Sequence, residues 1–373
     1  MTMEWSWFIY MGADNDLDQS TAADLEEIRK GNPEKVQVIV QVDHLDRATT
    51  RHRLGPKNRF DDFPPIVSKI SRTTNMDSRN PAVVSAFLRF AQDNAPSNRR
   101  GVVFWSHTAG FQNFTFEGAD PDPVEPKPKP LRQRGKKERL EEAENVSKFL
   151  RHPNIAKALR MSKNGHRFDI IACDSCLMAM VEVAHEIREH GTYFVASQNN
   201  IDRKGWNYDK LLNRFSGRDD KPEDVAKFAV QVGRQEGDST IAAIRFDRLD
   251  DIAGALDELG NALVPLLKSQ ARAIGQARDE VQLFPRLGYI DLQHFCILLE
   301  EKLTNAKAKG AANAVIKAVQ DAVISPKAPK SNAHGLTVYV PTLKIDEDLH
   351  YDDLSLVKAA PKWADFVRAH SEM

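Results

Sequence analysis

The chain has 373 residues, with 52 Lys and Arg against 53 Asp and Glu, for a formal net charge of -1. Hydrophobic residues are 41% and charged residues 28% of the total, the proportions of a globular rather than a disordered protein. A near-neutral balance also speaks against nucleic-acid binding, which calls for a basic face.

Three cysteines are too few for a disulfide framework. No stretch reaches the ~18 apolar residues of a membrane span, so a soluble protein of a reducing, cytoplasmic compartment is expected, with no membrane partner. The start, Met1-Thr2-Met3-Glu4-Trp5, lacks the basic segment of a secretory signal, and its apolar run is only strand-length. At roughly 150 residues per domain, the length suits two or three domains or one large α/β unit.

Short, nearly all-apolar runs alternate with helix-period segments along the first 200 residues. In chain order, Trp5–Met11 predicts a strand, Leu17–Lys30 an amphipathic helix, Val36–Val42 a strand, Pro81–Asn94 a helix and Gly101–Ser106 a strand. Asn145–Met161 then predicts a helix, Phe168–Cys173 a strand, Leu177–His190 a helix and Tyr193–Ser197 a strand. Strands this apolar are covered on both faces, and the alternation implies right-handed crossovers. Later strands at Thr240–Arg245 and Leu336–Val340 bracket helices at Leu249–Ile274, Asp291–Leu303 and Ala306–Val323. The expected fold is α/β: a mostly parallel sheet with helices on both faces over residues 1–246. A largely helical portion, 247–373, follows with a returning strand and a final helix.

Residues 115–144 break this pattern. Prolines at 121, 123, 126, 128 and 130 exclude helix or central strand. Lys127, Lys129, Arg132, Arg134, Lys136, Lys137 and Arg139 crowd the same stretch. It is either a solvated basic linker or a protease-accessible loop with a purpose.

Ligands of an open parallel sheet bind beyond the carboxyl ends of its strands. The third strand leaves through Ser106-His107-Thr108 and the fourth through Asp174-Ser175-Cys176. If the two are neighbours, His107 faces Cys176. A helix starting near Leu177 would stabilise a Cys176 thiolate and supply oxyanion donors, with His107 as base and then acid. The bland alternatives are an inert core cysteine and a filler histidine. Asp174 is either the N-cap of that helix or a carboxylate selecting a basic side chain. Cys173 and Cys176 form a C-x-x-C pair, which raises a redox alternative, although the flanking elements differ from thioredoxin-type sites. Asp14-Asn15-Asp16-Leu17-Asp18 lacks the glycine and distal glutamate of a calcium loop and reads as a turn plus N-cap.

These residues resemble the clostripain-like (C11) cysteine peptidases, relatives of caspases, metacaspases and gingipains. The resemblance rests on Phe8–Leu17, Val38–Asp43, Asp174-Ser175-Cys176-Leu177-Met178 and Gly205-Trp206-Asn207-Tyr208. Tyr289–Leu292, Gly335–Pro341 and Trp363–Phe366 extend it. It implies a caspase-like core, His107 as general base, Cys176 as nucleophile, and Asp174 as selector of Arg or Lys at P1. The backbone amides of Thr108 and Cys176 would then form the oxyanion hole.

It also implies activation by cleavage between the histidine and the cysteine, by the enzyme itself or an upstream protease, so the seven basic residues from Lys127 to Arg139 become candidate cleavage points. The expected partners are protein or peptide substrates. No cofactor is expected. Some members of the family use calcium, but the sequence offers no clear site and no metal ligands are assigned. Two positions depart from the family pattern. Thr108 stands where glycine is usual, and threonine resists left-handed backbone. Gln198 stands where glutamate is usual, which removes a charge expected near the substrate. Against the peptidase stands a non-catalytic scaffold of the same fold, which has no evident reason to keep Cys176, His107 and Asp174 together.

Overall fold

Along the first strand the side chains alternate between two cores, Trp5, Trp7, Ile9 and Met11 entering one and Phe8 and Tyr10 the other. Period-two alternation with both sides buried requires helices on both faces. The computed structural model describes residues 3–31, 36–45, 47–54, 60–63, 76–112, 152–162, 167–215, 220–233, 240–327, 332–346 and 349–372.

The strands are β1 (Met3–Ala13), β2 (Val36–His44), β3 (Thr50–Leu54), β4 (Phe60–Phe63), β5 (Ser97–Trp105), β6 (Phe168–Asp174), β7 (Gly191–Ser197), β8 (Ile241–Arg245), β9 (Tyr289–Asp291), β10 (Val323–Lys327) and β11 (Thr337–Tyr339). The helices are α1 (Asp18–Lys30), α2 (Pro81–Asn94), α3 (His152–Ser162), α4 (Val181–Ile187), α5 (Tyr208–Asn213), α6 (Pro222–Val232), α7 (Leu249–Leu263), α8 (Ala271–Glu280), α9 (Leu292–Lys302), α10 (Ala306–Ala322), α11 (Ser355–Ala359) and α12 (Pro361–Ser371).

Nine strands form one sheet in the order β10-β8-β7-β6-β5-β1-β2-β3-β4. Its centre, β7-β6-β5-β1-β2, is parallel, and two antiparallel strands flank it on each side. The α/β expectation and its parallel sheet hold. Helices α1, α5 and α6 bury Ile28, Leu211 and Val225 on one face. On the other, α2, α3 and α4 bury Phe87, Leu159 and Val183 in a core continuous with Leu256, Leu299, Val319 and Phe366 of the C-terminal helices.

Differences from the sequence expectation have local causes. β3 reads Thr-Arg-His-Arg-Leu and shows no apolar run, yet it pairs antiparallel with β2. Leu249–Ile274 is two helices because Pro265, which has no N–H to donate, sits in a short 3₁₀ turn between them. The returning strand, shortened to Thr337–Tyr339, pairs with β9 in a separate two-stranded ribbon, while β10 joins the main sheet. The helix expected over 145–161 is seen as α3, and residues 113–151, with all seven candidate cleavage points, lie outside the described residues. No helix among the described residues is long and apolar enough to cross a membrane.

Candidate active site

β5 and β6 are adjacent and parallel, with Trp105 paired to Asp174. His107 and Cys176 each stand two residues beyond that pair. Equal overhangs on strands ~4.8 Å apart place them side by side at the sheet's carboxyl edge. The Thr108 hydroxyl donates to the Cys176 carbonyl and ties the two turns together.

The cysteine turn is not the one expected. Helix α4 starts at Val181 with Met180 as N-cap, so no helix N-terminus underlies Cys176. Leu177 adopts a left-handed backbone (φ +62°). Its N–H goes to the Asn199 carbonyl (3.2 Å) and that of Ala179 to Ser197 (2.9 Å), so these amides bind the end of β7 instead of opening a helix. A left-handed leucine costs about 1–2 kcal/mol, which burial of its side chain, worth roughly 1.5–3 kcal/mol, offsets. Leu177 is buried in the core while Cys176 stays half-buried, facing the crevice. The Ile201 N–H donates to Cys176 Sγ at 3.3 Å, and the thiol faces the Ile201 carbonyl at 3.9 Å.

His107 Nε2 lies 2.7 Å from Asp16 Oδ1. An ionised carboxylate only accepts, so Nε2 carries a proton here and Nδ1 is the nitrogen able to take one. The other Asp16 oxygen pairs with Arg203. Burial pushes the Asp16 carboxyl up, but the hydrogen bond and charge of His107, with Arg203, outweigh it and hold its pKa below the usual range.

Asp174 is buried and is not a helix N-cap. Its Oδ2 accepts from the Tyr208 hydroxyl (2.8 Å) and the Trp206 amide (3.0 Å). Both are neutral donors, which orient the carboxylate without cancelling its charge. Gly205 explains its place in Gly-Trp-x-Tyr: its φ is +58°, and a Cβ there would sit 2.7 Å from Asp174 Oδ2. Burial and the charge of Asp174 push the Tyr208 hydroxyl well above its ordinary pKa, so it remains a donor.

Both departures from the family pattern read differently in three dimensions. Thr108 does not adopt positive φ; the left-handed residue of that turn is Gly110 (φ +61°). Gln198 does not face substrate. It is fully buried, donates to Asp291 (2.9 Å) and accepts from the Gly335 amide (2.8 Å), bracing the β9–β11 ribbon against the end of β7. Beside the Asp291 carboxylate a neutral amide is what the position requires.

Cys173 is fully buried, and burial, then the charge of Asp174, push its thiol well above the ordinary range. That suits a core residue and not a redox partner. Among the described residues no three His, Cys, Asp or Glu groups come together to hold a metal ion. The Asp14–Asp18 segment is a turn in which Asn15 Oδ1 accepts from the Leu17 amide (2.9 Å), and α1 has Leu17 as an N-cap without a side-chain bond. Asp16 and Arg203 were missed from sequence. The signal for Asp16 was present, since it leaves the carboxyl end of β1 just as His107 leaves β5.

A thiol and an imidazole on adjacent strand ends of such a sheet mark the class of caspase-fold cysteine peptidases. The clostripain family (peptidase C11) model matches residues 9–121 and 132–367, and the chain belongs to that family; it is a cysteine peptidase. It is similar to an inactive zymogen C11 protease from Parabacteroides distasonis, with 19% identity, TM-score 0.71, and coverage of 96% of this chain and 99% of that one. A secreted C11 cysteine protease from Bacteroides thetaiotaomicron, solved with an irreversible peptide inhibitor, matches at 18% identity and TM-score 0.69 with the same coverage. Another structure of a secreted C11 cysteine protease from that organism matches at 13% identity and TM-score 0.70, again over 96% and 99%. No curated protein matches the chain.

Proposed function

We propose that the chain cleaves peptide bonds after Arg or Lys through a His107–Cys176 dyad. Cys176 Sγ attacks the scissile carbonyl, and the amides of Thr108 and Cys176 receive the negative charge that develops on its oxygen. His107 passes the thiol proton to the leaving amine as the C–N bond breaks. Water, deprotonated by His107, then hydrolyses the thioester and frees Cys176. Asp16 keeps the imidazole oriented, and Asp174 binds the basic P1 side chain. The observation that carries this reading is the Trp105–Asp174 register, which sets both reactive side chains two residues past one strand pair.

Activation by a cut among Lys127, Lys129, Arg132, Arg134, Lys136, Lys137 and Arg139, by the enzyme itself or an upstream protease, belongs to the same proposal. The family match omits residues 122–131, which suits an inserted segment, and a similar structure is that of a zymogen. Cys173, Cys176 and Cys296 are all free thiols, which supports a cytoplasmic setting, whereas two similar structures are of secreted proteases; fractionation of the host cells decides.

The test incubates wild type and Cys176→Ala, alone and with peptides carrying Arg, Lys or Asp at P1, and maps products by mass spectrometry. Wild type is expected to cut after Arg and Lys, at a rate at least ~10⁴-fold above the variant. Cleavage after Asp, or equal cleavage by the variant, would refute the reading.

A further inference from the structure

Helix α1 takes part in two different surroundings. On one side its Glu27 accepts from the Tyr208 amide (3.2 Å), so it backs the Gly-Trp-x-Tyr segment that holds Asp174. On the other lies a groove of about 670 Å³ between α1, the end of β2 and the start of β3, a volume within the range of ligand clefts. Asp16, just before α1, lines this groove and also holds His107 (2.7 Å), so one carboxylate joins the groove to the proposed reaction centre.

Its apolar wall is made by Ala22, Leu25 and Leu45, of which Ala22 and Leu45 are exposed, Leu45 to 40%. Its polar side is a hydrogen-bonded chain, Asp18 to His44 (2.6 Å), His44 to Thr50 (3.0 Å) and Thr50 to His52 (2.9 Å), with Arg47 bonded to both Asp18 (2.6 Å) and His44 (3.1 Å). A polar side of this kind suits a peptide backbone, and the apolar wall suits one apolar side chain.

Direction follows from chemistry. His107 protonates the leaving amine, so the residues beyond the cut start over β5. The strand order then runs β1, β2, β3. β2 lies two strand spacings away, ~10 Å, and β3 three, ~14 Å; an extended peptide covers those distances in about three and four residues.

We propose that this groove is the leaving-side subsite of the peptidase, taking an apolar side chain at the third or fourth residue beyond the scissile bond. The inference rests on the placement of P1 at Asp174. A digest of peptides randomised on both sides of the cut, read by mass spectrometry, reports the two sides independently. Leu, Ile, Met and Phe are expected to be enriched about tenfold over Gly, Asp and Lys at the third or fourth leaving-side position.

Ala22→Trp fills the groove from the exposed surface of α1, and Leu45→Glu puts a charge on its apolar wall. Each is expected to bring the enrichment within about twofold, and either one alone decides if the other fails to fold. A flat leaving-side profile, or an enrichment that survives both substitutions, overturns the subsite. Apolar enrichment that both substitutions abolish, without basic residues at P1, would sustain the groove and sink the Asp174 reading instead.

Discussion

Two strand exits meet at the proposed reaction centre, and they hold their carboxylates in opposite ways. At and after the end of β6, Asp174 and Glu182 flank the cysteine turn, both buried, and both accept from neutral donors: a phenol hydroxyl and amides. Beyond β1, Asp16 and Asp18 are part-exposed and pair with His107 and Arg203 or with His44 and Arg47. Burial carries the Glu182 pKa up to about 7, whereas its ionic partners hold Asp16 below its ordinary value. The β6 exit is thus built for shape and fixed placement, and the β1 exit for charge. In the proposed reading, the first would recognise a cationic side chain and the second would steer the imidazole.

The largest effect that would break this contrast is at Asp174. Asp174→Asn keeps a carbonyl to accept from Tyr208 and Trp206 but removes the charge. We expect kcat/KM on Arg and Lys substrates to fall roughly 10²–10³-fold, the usual cost of losing one partner of a desolvated ion pair. Substrates with uncharged P1 should change little. A uniform loss over all P1 residues would make Asp174 structural only.

Glu182 sharpens the same contrast through stability. Its pKa is raised from 4.5 to about 7, mainly by burial, so between those values the folded state binds more protons than the unfolded one. Stability is therefore full below about pH 4.5 and declines as pH rises through 7. Over that span the loss amounts to about 3 kcal/mol at most. Glu182→Gln, which still accepts from the Tyr339 amide, should match wild type near pH 4.5 and exceed it by up to that amount at pH 8. Denaturant titrations at the two pH values check it; a gap that does not change with pH would refute it.

Much of this was legible in the sequence for identifiable reasons. The five central strands are apolar on both sides, so Trp5–Met11 and Phe168–Cys173 announce themselves, and reading strand ends leads to His107 and Cys176. Of the antiparallel strands, β8 was legible as Thr240–Arg245, whereas β3, with Arg51 buried and Arg53 half-exposed, and the three-residue β9 of the separate ribbon were not. The helix placed at Leu177 failed because its apolar period runs on through Leu177-Met178-Ala179-Met180, while the amides there are claimed by β7, a long-range contact that periodicity does not encode. Gln198 was misplaced for the same reason, since its partners Asp291 and Gly335 lie 93 and 137 residues away.

The most discriminating of the smaller effects concerns Asp16. If the β1 exit works by charge alone, Asp16→Asn and Asp16→Ala should be equally impaired. If it also orients His107, the asparagine, which still offers an oxygen at hydrogen-bonding distance, should retain more activity than alanine. We expect kcat to fall about tenfold for Asn and a hundredfold for Ala, with KM nearly constant. Both losses are smaller than the ~10⁴-fold associated with a fully buried triad aspartate, because Asp16 is 31% exposed and solvent shares in stabilising the imidazolium. Raising the ionic strength should then widen the deficit of neither variant but depress wild type, since only wild type has the Asp16 charge beside His107 for salt to screen. Equal kcat for Asn and Ala would reduce Asp16 to a source of charge, and a change confined to KM would move it from the imidazole to the substrate.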